Sequence, residues 1–128
     1  MRVLITGGTG FLGQALCPRL QAASHEVVIL TRQSRPRLPK GAARSATRLD
    51  DIDAGQFDAV INLAGEPIGD ARWTESRKKL LLDSRVATTA SVVEWLRRAR
   101  RPLQALLSAS AVGYYGEQGD RPIAEDTR

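Results

Sequence analysis

The chain is poor in several residue types on which protein chemistry often depends. It has one cysteine, Cys17, and one histidine, His25. A lone cysteine rules out an internal disulfide and fits a reducing compartment, so a cytoplasmic setting is expected. No cluster of His, Cys and Asp has metal-ligand spacing, and no metal site is expected. No paired carboxylates suggest glycoside hydrolysis. Cys17 falls in a helical pattern and reads as a small buried apolar residue. His25 precedes a strand and reads as part of a surface turn. No apolar run approaches the roughly 20 residues that span a bilayer, so no membrane association is expected. Met1 leads straight into RVLIT, without the basic, apolar and cleavage regions of a signal peptide.

What is present suits one domain over 1–128 with a real core. Of 128 residues, 42% are hydrophobic and 26% charged, as in ordinary globular chains. The net charge is +5, and arginines cluster at 32–37 and 97–101. Such clusters suit a phosphorylated ligand or a nucleic acid. The second cluster ends a helical pattern, where positive charge complements the helix dipole. Aromatics are not interleaved with the basic residues, which makes nucleic acid the weakest of the candidate partners.

Apolar periodicity gives an alternating order of elements. Val3–Thr6 reads as a short strand. Residues 11–23 read as a helix with apolar positions 12, 16, 20 and 23, kinked at Pro18. EVVIL at 26–30 is a buried strand, 33–45 a loop, ATRL at 46–49 a short strand and DAVINLAG at 58–65 a further one. A long helix follows over 74–100, with Thr74 as N-cap and one apolar stripe of Leu82, Val86, Ala90, Val93 and Leu96. It is also a candidate surface for a homodimer. LQALLSAS at 103–110 is the fifth strand. Strands alternating with helices imply parallel pairing with right-handed crossovers. The expected fold class is α/β: a Rossmann-type doubly wound parallel sheet in the order 3-2-1-4-5. Only DDIDAGQ separates the third and fourth strands, so one helix should be rudimentary.

The most informative stretch is VLITGGTGFLG, where a strand runs into four glycines. Gly7, Gly10 and Gly13 read G-x-x-G-x-x-G, and Gly8 also allows G-x-G-x-x-G. The first glycine permits a tight turn, Gly10 allows backbone to approach a pyrophosphate, and Gly13 allows close helix packing. Free N–H groups at the helix start would then hold the phosphates. A P-loop is disfavoured, because Gly13 is followed by Gln14 rather than by Lys. Sites for NAD usually end the second strand with an acid that accepts from ribose hydroxyls. Here that position reads VVILTRQSR, and no acid occurs between Val27 and Leu49. Arg32, with Thr31 and Arg35 nearby, would instead meet a 2′-phosphate, for which the guanidinium fork is suited. NADP(H) is therefore favoured over NAD(H).

Together, TGGTGFLG, NLAG at 62–65, GEPIGDARWTESRKKLLLDSRVATT from Gly65 and SASAVGYYG resemble the short-chain dehydrogenase/reductase superfamily, on its extended or atypical side. The closest resemblance is to the epimerase family proteins, which are nucleoside-diphosphate-sugar epimerase-like. It covers essentially the whole chain but the N-terminal half or less of a full member, without the C-terminal substrate-binding part. The resemblance implies that Thr6, Gly7, Gly8, Thr9, Gly10, Phe11, Leu12 and Gly13 hold the pyrophosphate. It implies that Leu63, Ala64 and Gly65 line the adenosine and ribose side, with Asp50 or Asp51 at the adenine edge. Ser108 would lie beside the nicotinamide, and Ser110 best matches the hydroxyl that orients the reacting oxygen, with Ser108 as the alternative. A sugar-nucleotide-like substrate is the implied partner.

The chain departs from that pattern in two places. Arg85 stands where extended members often carry Asn. The Tyr-x-x-x-Lys pair is absent: Tyr114 meets Gln118, Tyr115 meets Gly119, and no lysine follows Lys79. The expected function is the NADP(H)-binding part of an oxidoreductase or sugar-nucleotide epimerase-like protein, inactive as this segment alone. The alternatives are a non-catalytic NADP(H)-sensing module and, third, a nucleic-acid binder. Glu66, Trp73 and Arg77 are further candidates for contact with ribose or substrate.

Overall fold

A computed structural model describes residues 1–127 of the chain. The elements are β1 (Arg2–Thr6), α1 (Phe11–Ala22), β2 (Glu26–Leu30), β3 (Ala42–Ala46), β4 (Ala59–Asn62), α2 (Glu75–Arg97) and β5 (Ala105–Ser108). All strand pairs are parallel, and the sheet order is β3-β2-β1-β4-β5. This is the expected doubly wound order.

The apolar strands explain the layering. A parallel sheet covered on both faces needs near-continuous apolar strands, and β1, β2 and β4 supply them. Alternate residues serve opposite faces. Leu4, Val28 and Val60 pack with Phe57, Val92 and Trp95 on the α2 side. Val3, Ile5, Val27 and Ile29 pack with Cys17 on the α1 side. Pro18 lies inside α1, which runs through it.

Between β3 and β4 there is no α-helix, only two 3₁₀ turns, Leu49–Asp51 and Ala54–Gln56. Trp95 compensates for that thin crossover. Its ring meets Phe57 at 5.7 Å, and its Nε1–H donates to the Ile52 carbonyl at 3.0 Å. One side chain of α2 thus holds the connection that lacks a helix of its own.

Two local expectations, the third strand and the buried face of the long helix, are corrected. The third strand is Ala42–Ala46 rather than 46–49. It is an edge strand of sequence AARSA, bulged against β2 at Val27/Val28, with no β-branched residue to announce it. In α1 the fully buried positions are Gly13 and Cys17, while Leu12 is 58% exposed. The long helix buries Leu81, Val92 and Trp95, whereas Leu82 and Val86 are exposed. The apolar stripe thus lies one residue out of phase with the buried face, a rotation of about 100° around the helix, although its Leu96 packs against the core.

Candidate functional site

The glycines of the β1–α1 turn divide by what fixes them. Gly7 has φ +67°, and a methyl group there would lie 2.7 Å from the Leu63 carbonyl oxygen and 2.8 Å from the Ala64 nitrogen. A methyl on Gly8 would strike Ile29 Cδ1 at 2.4 Å, and one on Gly13 would lie 1.9 Å from the Gly8 carbonyl oxygen. At Gly7 and Gly13 the obstacle is backbone, whereas at Gly8 it is the end of the buried Ile29 side chain. Gly10 is different: it is extended, and a methyl there would meet only the Gly7 oxygen, at 3.2 Å.

Gly10 is also the N-cap of α1. No side chain caps the helix there, and no acid lies in its first turn. The first N–H groups of a helix have no partner within it. Phe11 and Leu12 at that turn are 90% and 58% exposed. An open, uncapped helix start behind a glycine is the arrangement that accepts a diphosphate.

Beneath the turn, a hydrogen-bonded chain crosses the carboxyl ends of the strands. Thr6 Oγ1 donates to Asn62 Oδ1 at 2.5 Å and accepts from the Ala64 N–H at 3.2 Å. Asn62 Nδ2 donates to Thr89 Oγ1 at 3.0 Å and to Ser108 Oγ at 3.3 Å. Thr6 and Asn62 are buried. Asn62 was not singled out from the sequence, although a polar residue closing the apolar run AVIN was a visible signal. The network joins Thr6, Ala64 and Ser108. Ser110 lies two residues past the end of β5, exposed.

At the end of β2, the Thr31 N–H donates to the Ala46 carbonyl, and the Thr31 hydroxyl accepts from the Gln33 N–H. The Arg32 side chain is 92% exposed, and its Nη2 lies 2.9 Å from Glu66 Oε1. Glu66 follows the β4 loop and is anchored on α2: its N–H donates to Ser84 Oγ at 3.0 Å, and its carbonyl accepts from Arg85 Nη2 at 3.1 Å. The Arg85 guanidinium lies against Gly65, where a methyl would come within 2.9 Å of Cζ. The strap beyond is tied to the start of α2 by Arg77 donating to the Pro67 carbonyl. Trp73 Nε1–H donates to the Ile68 carbonyl within the same strap. Arg35 is an exposed loop residue.

The remaining candidates have structural partners. Asp50 pairs with Arg48 at 3.4 Å and Arg98 at 3.3 Å. It lines an open cleft of about 610 Å³ with Leu30, Leu49, Ala90 and Trp95, in the space beside the thin β3–β4 crossover. Neither the glycine turn nor Leu63, Ala64 and Gly65 line that cleft. In the 97–101 cluster, Arg97, Arg98 and Arg101 pair with Glu94, Asp50 and Asp58. Tyr114 and Tyr115 pack edge-on against each other at 5.3 Å. Burial pushes the Cys17 thiol up, which suits a packing residue and not a nucleophile. Among the described residues no cluster suits a metal ion, and no helix is long and apolar enough to cross a membrane.

Comparison with known proteins places this geometry. The model of the NAD dependent epimerase/dehydratase family matches residues 3–128. The chain is 36% identical to the epimerase family protein YfhF of Bacillus subtilis, over 99% of this chain and 43% of that protein. A crystal structure of human epimerase family protein SDR39U1 with NADPH superposes with a TM-score of 0.72 at 37% identity, covering 90% of this chain and 38% of that one. A UDP-galactose 4-epimerase structure gives 0.76 at 27% identity, covering 99% and 44%. The chain therefore spans about two-fifths of the length of these relatives.

Proposed function

Because the chain belongs to the NAD dependent epimerase/dehydratase family, we propose that residues 1–128 form one dinucleotide-binding unit that takes NADP(H) in preference to NAD(H). The observation that carries the preference is Arg32, an exposed guanidinium at the end of β2, in a stretch from Val27 to Leu49 that contains no acid. The NADPH bound to the human relative supports the same reading. In it, the open start of α1 (Gly10, Phe11, Leu12 and Gly13) holds the pyrophosphate, with Thr6, Gly7, Gly8 and Thr9 shaping the turn. Leu63, Ala64 and Gly65 line the adenosine and ribose side. Arg32, with Thr31 and Arg35, meets the 2′-phosphate.

For the whole protein we propose an oxidoreductase or epimerase-like activity of the short-chain dehydrogenase/reductase type on a sugar-nucleotide-like substrate. When bound, the nicotinamide would exchange a hydride with a carbinol carbon. Ser110 would orient the reacting oxygen, and Ser108, held by Asn62, would support the nicotinamide side. The missing Tyr-x-x-x-Lys pair leaves this segment without a proton-transfer group of that kind, so it should bind cofactor without turning over substrate.

The test is a titration of the chain with NADPH and NADH, repeated with Arg32→Ala. NADPH should bind more tightly. A charge-assisted hydrogen bond lost at Arg32 should weaken it by roughly 1.5–3 kcal/mol, about tenfold or more. Equal affinity for both cofactors in the unsubstituted chain would refute the preference.

A further inference from the structure

The Arg32–Glu66 ion pair joins a solvated side chain to a largely covered carboxylate. Arg32 leaves the end of β2, and Glu66 follows β4. These strands flank β1 on either side, so the pair bridges the carboxyl end of β1, where the glycine turn begins. Ligands of open α/β sheets bind in the crevice beyond those strand ends. The two partners are unequal. Glu66 is fixed through its backbone to Ser84 and Arg85, and its side chain is only 22% exposed. Arg32 is a solvated arm at 92% exposure.

Resting on the NADP(H) reading, we propose that Glu66 is a specificity-determining residue: its carboxylate occupies, on Arg32, the place that the 2′-phosphate of NADP(H) takes, and the cofactor displaces it. A pair whose cation is almost fully solvated contributes little, typically about 0–1 kcal/mol. A 2′-phosphate carries more negative charge than a carboxylate and offers the guanidinium fork more acceptor oxygens. NAD(H) has no such group to offer Arg32, so Glu66 lowers the affinity for NADP(H) alone and narrows the difference between the two cofactors.

The experiment measures NADPH and NADH dissociation constants by calorimetry for the chain and for Glu66→Gln, Glu66→Ala, Arg32→Ala and the double variant Arg32→Ala/Glu66→Gln. Circular dichroism confirms that each is folded. Removing the carboxylate should tighten NADPH about two- to fivefold, the range expected from releasing an exposed ion pair. NADH affinity should not move. In the Arg32→Ala background, Glu66→Gln should have no effect on either cofactor. A weaker or unchanged NADPH affinity in both Glu66 variants would overturn the exchange. So would equal tightening of NADH, which would make Glu66 a general obstruction, or a full gain without Arg32. A chain that prefers NADPH but fails these arms loses only the exchange. A chain that shows no NADPH preference in any variant loses the NADP(H) reading and the exchange with it.

Discussion

At the residue scale, the four glycines that look alike in TGGTGFLG have separable duties. Gly7 needs its positive φ, Gly13 has no room for a methyl group against the Gly8 backbone, and a methyl on Gly8 would require the Ile29 side chain to shift. Gly10 has an ordinary φ and one close neighbour, the Gly7 carbonyl oxygen at 3.2 Å, which would have to move only slightly. A side chain at Gly13 should therefore prevent folding, because its Cβ would be driven into the Gly8 backbone. Gly10→Val should leave the fold nearly intact and block the diphosphate. The expected outcome is a melting temperature close to that of the unsubstituted chain with NADPH binding lost, while Gly13→Val gives little folded protein. Thermal melts paired with cofactor titration decide it, and normal NADPH binding by folded Gly10→Val would show that the turn is not the phosphate site. The spacing makes this motif legible and assigns Gly10 to a pyrophosphate and Gly13 to helix packing, but it does not show what crowds each position. That distinction depends on Leu63, Ala64 and Ile29, which reach the turn only through the sheet.

At the scale of elements, the strands were easier to read than the helices. β1, β2 and β4 are buried on both faces, so their apolar runs identify them directly. The phase of α2 was misread for a physical reason. Its inward face carries Leu81, Val92 and Trp95 but also Thr88 and Thr89, which are partly buried, and Thr89 meets Asn62. Its outward flank carries Leu82 and Val86, so a count of apolar residues favours the wrong side. β3 was misplaced because an edge strand of small and polar residues looks like the loop before it. The joint between elements is held by Asp58, at the entry to β4. Its carboxylate accepts from the Arg2 N–H at 2.6 Å and from Arg101 Nη2 at 2.8 Å, tying β1 and the α2–β5 connection to β4. The Arg2 N–H first, and Arg101 second, hold this carboxyl below the ordinary value of 3.8. Folding thus favours the ionised form. Its contribution is fully present above the ordinary carboxylate range and is lost as the pH falls through the lowered value. Asp58→Asn should lower stability at neutral pH and flatten the acid side of the stability curve. Denaturant melts between pH 2 and 7 test this, and an unchanged pH slope would remove Asp58 from the account.

At the scale of the whole molecule, the misread flank of α2 becomes the surface to explain. Leu82 and Val86 stand one turn apart and are 62% and 59% exposed. Residues at i and i+4 share one helix face, so the two form a single apolar ridge, flanked by the Lys79–Asp83 pair. Exposed apolar side chains are common singly, whereas a contiguous ridge on a helix suits an interface. We propose that a second copy pairs along α2, placing the ridge of each chain on that of the other about a two-fold axis. A ridge that meets its own copy brings position 82 or 86 near its symmetry mate. A carboxylate there would then be desolvated beside a like charge, and burying an unpaired charge is far costlier than losing an apolar contact. Leu82→Glu and Val86→Glu should each convert the dimer to a monomer, with little change in monomer stability because neither side chain is in the core. Cofactor affinity should follow the monomer, since the glycine turn belongs to β1 and α1 and not to this face. Sedimentation equilibrium of the unsubstituted chain and the two variants provides the measurement. A chain that is monomeric throughout, or a dimer that survives both carboxylates, would mean that this ridge is not where two copies meet.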